Sequence, residues 1–317
     1  MRYKKALILI TTGSPDVNSI AAIKSFLKLF LSDKHVIHMP RFLWKPILHG
    51  IILKRRPQRL FLKYQKITID NKSPLTYYTE KLIDKLQEKL ADTKVISANL
   101  YTPPLIEDTF TQLKQEGIDD ITCIPLFAQF STVTTQAIID RVNLALKNLR
   151  FEPKKFRFIR DYFSHSLYIK ALCRDLQKFT VNSQSPLILA YHSLPQSYLK
   201  DNLNYVKQCM ATSTAIGNYL NRAQNIKTVF VSRFGKGKWL TPNLEDTINK
   251  LIEQKVTSIN IMAPGFMTDC IETYYDVKES AQYIANKEGI SVNYLPSLND
   301  CKECVDLLLE LYINLEN

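Results

Sequence analysis

The chain has 317 residues, 45% of them hydrophobic, enough for one large core or two domains. Its charge of +12 is spread along the chain with no nucleic-acid-binding motif, so no nucleic acid is expected; an anionic small molecule or an anionic membrane surface would suit that charge. No segment reaches about 18 uninterrupted apolar residues, KALILI near the start is too short for a secretory h-region, and the six cysteines lack a disulfide-framework spacing, which together predict a cytoplasmic chain.

An apolar run at 5–10 predicts the first strand and a helix follows at 17–31. Residues 36–57, VIHMPRFLWKPILHGIILKRRP, break the pattern, because Pro40, Pro46 and Pro57 forbid one long helix. This segment reads either as a core helix with a solvated basic end, or as an exposed apolar lip rimmed by Arg41, Lys45 and Lys54-Arg55-Arg56. As a mobile lip it would leave Trp44 substantially exposed, and it could hold an apolar ligand with anionic edges or touch a membrane. Helices at 74–90, 105–116 and 134–148 then alternate with strands at 94–98, 120–124 and 156–159. Beyond them, helices at 165–179, 202–220, 244–255, 270–286 and 301–315 alternate with strands at 186–191, 226–231, 257–262 and 290–294. Alternation of this kind predicts an α/β fold of parallel sheets flanked by helices. With about four strands on either side of residue 165, two similar lobes are expected, 1–165 and 166–317, the last helix packing back on the first lobe.

Two stretches carry chemistry. LILAYHSLPQSYL, 187–199, is a buried strand that ends on His192 at a turn, and ligands of such folds bind beyond the carboxyl ends of strands. An isolated strand-end histidine can equally cap a loop. APGFMTDCIETYYDVKES, 263–280, turns at Pro264-Gly265 and enters a helix near Thr268 or Asp269. On an α-helix, Asp269, Glu272, Asp276 and Glu279 fall within an arc of about 80°, one acidic stripe that is either a solvated face or the wall of a cleft. Carboxylates and imidazole suit divalent cations such as Fe²⁺. Cys301 and Cys304 form one CxxC, too little alone for a metal site.

Taken in order, these motifs resemble the ferrochelatase family. TGSPD at 12–16 resembles its turn after the first strand, 30–57 its bacterial porphyrin-covering lip, and Ser73-Pro74-Leu75 its helix opening. PLFAQFS at 125–131, YHSLPQSY, SRFGKGKWLTP at 232–242 and PGFMTDCIET complete the series. The resemblance implies two Rossmann-like lobes with a porphyrin cleft between them and insertion of Fe²⁺ into protoporphyrin IX to give protoheme, a lyase reaction. It implies catalytic roles for His192, as base, and Glu272, with His192, Glu272 and Asp276 meeting the substrate iron in transit. Arg56 and Ser73 would contact propionates, Trp239 and Phe266 would pack on the macrocycle, and Tyr101 and Trp44 would also line the substrate site. Porphyrin and ferrous iron are then the partners, with no tightly bound cofactor, no iron–sulfur cluster, and peripheral contact with an anionic membrane. The sequence leaves the oligomeric state open, and the apolar lip favours protoporphyrin over the more acidic coproporphyrin.

Some positions depart from the family pattern. Asn99-Leu100-Tyr101 lacks the family's arginine, Phe130 replaces a tyrosine, Leu203-Asn204-Tyr205 replaces Asp-Pro-Tyr, and 66–72 replaces a glycine-rich stretch. These keep two alternatives in view: a porphyrin- or heme-binding relative with lost chelation, or a chelatase for another divalent metal such as cobalt.

Overall fold

The computed structural model describes residues 3–174, 176, 185–233, 235 and 237–315. Eight strands alternate with helices: β1 (Lys5–Thr11), β2 (Thr93–Asn99), β3 (Asp120–Pro125), β4 (Lys155–Phe158), β5 (Leu187–His192), β6 (Ile226–Val231), β7 (Ser258–Met262) and β8 (Ser291–Tyr294). They form two four-stranded sheets, ordered β2-β1-β3-β4 and β6-β5-β7-β8, in which every pairing is parallel. The two orders are one topology used twice. β1 and β5 are unbroken apolar runs because each is central, with a strand on either side and helices over both faces.

This order dictates where chemistry can sit. From β5 the chain moves outward to β6, then crosses back to β7 on the other side of β5, so the connections diverge between β5 and β7. At such a switch point the carboxyl ends of the two strands open a crevice that no crossover helix covers.

The chain divides into two compact units. The first holds Met1–Leu126, Thr132–Arg160 and Leu309–Asn317, and the second holds Phe127–Ser131 and Asp161–Leu308. The final segment thus belongs to the first unit, where the Tyr312 and Thr93 hydroxyls lie 3.0 Å apart. In the second unit Ile188, Ala190, Val229, Ile248, Ile259 and Ile261 centre the core. Burying an aliphatic side chain of this size contributes about 1.5–3 kcal/mol.

The segment with three prolines differs from expectation. Helical backbone runs from 41 to 67, as an α-helix Arg41–Ile47, a π-turn Leu48–Ile52 and a second α-helix Leu53–Ile67. Pro46 and Pro57 lie inside the two α-helices. They shape the path without ending it: between them the ladder widens, and the Leu53 N–H reaches the Leu48 carbonyl five residues back. The sequence reading missed Leu53–Ile67 because Pro57 reads as a stop. The helix expected at 165–179 is seen as Ser166–Cys173, with 175 and 177–179 outside the described residues. Among the described residues no helix is long and apolar enough to cross a membrane.

Candidate functional site

His192 is the last residue of β5 and its only exposed one. Ladder geometry continues one residue further, with the Ser193 N–H donating to the Val231 carbonyl at 2.7 Å. The Tyr205 hydroxyl donates to the His192 carbonyl at 2.8 Å and holds the strand end from the helix Leu199–Tyr219. Tyr205 was legible in the sequence only as a remnant of a family motif; a contact across 13 residues leaves no periodic trace. The ring Nδ1 lies 2.7 Å from the Ser193 carbonyl oxygen. A carbonyl can only accept, so Nδ1 is the donor in this contact, and in the neutral ring the lone pair then sits on Nε2. The structure therefore presents an exposed imidazole at the carboxyl end of the central strand.

The turn after β7 supplies the other side of the switch point. The Phe266 N–H donates to the Ala263 carbonyl at 3.1 Å, closing the turn at Pro264-Gly265. The Phe266 ring lies 6.5 Å from the His192 ring between centroids. The acidic stripe is different from the one that α-helical spacing predicts. The helix starts at Ile271 and takes π geometry over Thr273–Glu279, so 100° per residue does not apply. Asp269 precedes the helix, is only 3% exposed, and is saturated by donors, so it leaves the stripe. Glu272 and Asp276 are half-buried and Glu279 is exposed. Burial, followed by the charge of Glu272, pushes the Cys270 thiol well above its ordinary range, leaving a neutral S–H beside that carboxylate. Among the described residues no three His, Cys, Asp or Glu side chains converge as a metal-holding group, so His192, Glu272 and Asp276 are not assembled into a cage.

Trp239 reaches the same neighbourhood by backbone pairing. It bridges to Pro195, the Gln196 N–H donates to the Lys238 carbonyl at 2.8 Å, and the Leu240 N–H donates to the Leu194 carbonyl at 3.0 Å. Trp239 is half-buried beside a cavity of 500 Å³ lined by Gln196, Arg233, Gly235, Lys238 and Thr241. Phe234 and Lys236 of this motif lie outside the described residues.

In the first unit the expected substrate residues are less available. Trp44 is a correction: it is 6% exposed, and its indole N–H donates to the Leu31 carbonyl at 2.6 Å. The helical run turns Trp44, Leu48 and Leu53 inward and leaves Phe42 at 74% and Ile51 at 56% exposure, with Leu43 and Ile47 also exposed. The inner face is thus core, which counts against a mobile cover with an exposed Trp44, while the outer face keeps an exposed apolar strip. Tyr101 is buried edge-on against Phe26 and Phe30, and its hydroxyl donates to Asp33 at 3.1 Å. Burial and the Asp33 charge keep that phenol neutral. Ser73 is buried as the N-cap of the helix Pro74–Gln87, accepting from the Thr76 N–H, and lines a 290 Å³ cavity with Ser14, Asn99 and Thr102. Arg56 is half-buried. Leu100 and Phe130, the departures from the family pattern, are both buried.

Comparison with known proteins decides the family. The ferrochelatase sequence profile matches residues 4–315. The ferrochelatase of Hamiltonella defensa is 36% identical, over 98% of both chains. The ferrochelatases of Edwardsiella ictaluri and Vibrio cholerae are each 34% identical, over 98% and 97% of both chains. The chain belongs to the ferrochelatase family. This family inserts Fe²⁺ into protoporphyrin in heme synthesis. Two solved structures share the fold at low identity. SirB from Bacillus subtilis aligns with a TM-score of 0.61 at 9% identity, over 98% of this chain and 95% of that one. DR2241 from Deinococcus radiodurans aligns with a TM-score of 0.58 at 10% identity, over 97% of this chain and 54% of that one. His192 closes β5, and Glu272 lies in the helix that follows the turn after β7, on the two sides of the switch point.

Proposed function

We propose that this ferrochelatase-family chain is a lyase that inserts Fe²⁺ into protoporphyrin IX, releasing two protons and protoheme, the last step of heme biosynthesis. One observation carries the reading: His192 stands at an exposed strand end with its Nδ1 engaged by the Ser193 carbonyl, which leaves Nε2 as the ring nitrogen available to a substrate proton. Metal insertion must remove two pyrrole protons as iron enters, and a flat macrocycle presents its nitrogen lone pairs poorly. Binding energy spent on bending the ring exposes them. Imidazole, with an ordinary pKa of about 6.5, then accepts a proton efficiently at neutral pH. Phe266 and Trp239 supply apolar surface for the macrocycle beside this base. Glu272 and Asp276 attract the hydrated cation and lead protons away. Iron remains divalent and the macrocycle provides four nitrogen ligands, so the chemistry requires no resident redox cofactor.

Arg56 would grip a propionate by charge-assisted hydrogen bonds. The exposed apolar strip Phe42, Leu43, Ile47 and Ile51, edged by Arg41, Lys45, Lys54 and Arg55, would rest on an anionic membrane surface. The test is anaerobic addition of protoporphyrin IX with Fe²⁺ or Zn²⁺ to the pure protein, following porphyrin absorbance. Conversion of the free-base bands to those of the metalloporphyrin is expected. Porphyrin binding without insertion would reassign the protein as a porphyrin carrier, and insertion of Co²⁺ but not Fe²⁺ would reassign the metal.

A further inference from the structure

We propose that Asp269 is a positioning residue: it locks the 269–273 turn and so fixes where Glu272 presents its carboxylate. The inference rests on the chelatase reading above and assigns a role within that site. The buried Asp269 carboxylate receives four donors from two different chain segments. Thr273 Oγ1 donates to Oδ1 at 3.0 Å, the Tyr294 hydroxyl at 2.7 Å and the Ser297 N–H at 3.4 Å, while Asn299 Nδ2 donates to Oδ2 at 2.7 Å. Its own N–H donates to Asn299 Oδ1 at 2.7 Å. Thr273 Oγ1 also accepts the Cys270 N–H at 3.0 Å, and the Asn299 N–H donates to the Met267 carbonyl at 2.9 Å. The turn that carries Glu272 is thereby tied on both sides, directly through Thr273 and across to the segment after β8.

A carboxylate, whose two oxygens both accept, matches this set. Asparagine in its place must turn its NH₂ either toward Asn299 Nδ2 or toward the three donors on the other oxygen. The first orientation sets donor against donor; the second meets the Ser297 N–H and requires both hydroxyls to reverse, so either one loosens the turn. The link to Glu272 runs through Thr273, so Thr273 variants test positioning without changing any charge.

The experiment measures kcat, porphyrin KM and thermal stability for metal insertion by Asp269→Asn, Thr273→Val, Thr273→Ser and the Asp269→Asn/Thr273→Val double variant. Asp269→Asn and Thr273→Val should each lower kcat roughly 10- to 100-fold, the range seen when groups that orient a reactive ligand are lost. Porphyrin KM should stay near wild type, and Thr273→Ser, which keeps the hydroxyl, should restore kcat. The double variant should fall no further than Asp269→Asn alone, because both act through one network. Wild-type kcat in Thr273→Val, a Thr273→Ser as impaired as Thr273→Val, or a loss confined to KM would each overturn the proposal. Should Asp269→Asn not fold, the Thr273 pair decides it. A wild-type protein that inserts no metal would overturn the chelatase reading, and this inference with it; an active wild type with an unaffected Thr273→Val overturns the inference alone.

Discussion

The rings of His192 and Phe266 lie 6.5 Å apart between centroids, with their planes tilted by 46°. This contact joins the end of β5 to the turn after β7, the two strands that flank the switch point of the second sheet. An imidazole and an aromatic ring are therefore placed together by topology, although 74 positions separate them in sequence.

His192 is exposed and contributes little packing, so His192→Ala should leave thermal stability near wild type while metal insertion falls. The loss of a positioned acid–base group typically costs on the order of 10²–10⁴-fold. Insertion rates and a melting curve on the same sample check this. A variant with wild-type turnover would remove His192 from the mechanism.

The chain has two tryptophans, which makes their environments separable. Trp44 is buried and Trp239 is half-buried. In Trp239→Phe the remaining emission should resist acrylamide quenching; in Trp44→Phe it should be quenched readily. Equal quenching in both variants would contradict the inward packing of Trp44. Trp44→Phe also removes the hydrogen bond to Leu31 and should cost about 1 kcal/mol in denaturant unfolding.

The apolar strip on the outer face of residues 42–51 leads to a membrane prediction. Phe42→Glu and Ile51→Glu should cut binding to vesicles of anionic lipid without lowering thermal stability, because both side chains are exposed. Wild-type binding should weaken as salt rises, since the basic rim acts through screened charge. Binding that ignores both the substitutions and the salt would argue against this face. Sedimentation with vesicles is the measurement.

Arg56 lies at the close of the basic run before Pro57. Arg56→Leu should raise the porphyrin KM about 10- to 150-fold, the equivalent of a charge-assisted hydrogen bond worth about 1.5–3 kcal/mol. The KM for metal should hold, because in the proposed mechanism the cation is drawn by Glu272 and Asp276. An unchanged porphyrin KM would leave Arg56 without a substrate role.

Alkaline pH should unfold the protein. Burial raises the phenols of Tyr101, Tyr162, Tyr168, Tyr191, Tyr205 and Tyr294 above their ordinary value of about 10. A group whose folded-state pKa is raised contributes stability that is complete below its unfolded value. That stability is lost as pH rises beyond it, because the unfolded chain releases protons that the folded chain retains. Tyrosinate absorbance from these residues should therefore appear together with loss of the circular dichroism signal above about pH 10. Their titration near pH 10 with the fold intact would refute it.

The sequence by itself determined the eight strands, their alternation with helices, the two-sheet α/β class and the family, and it singled out His192 and Glu272 as candidates. These are local facts: apolar runs of strand length and short motifs survive without knowledge of neighbours. Only the tertiary structure decided which side chains are free to act. Pro46 and Pro57 read as breaks, yet helical backbone continues through a π-turn between them, and Trp44 packs inward from the helix before it. Asp269, Glu272, Asp276 and Glu279 read as one stripe because 100° per residue was assumed, while the helix begins later and takes π geometry. Asp269 became a structural hub through Tyr294, Ser297 and Asn299, up to 30 positions away. Hydrogen-bond partners brought from distant segments leave no periodic signature, so the division between groups that hold the site and groups that do the chemistry comes from packing.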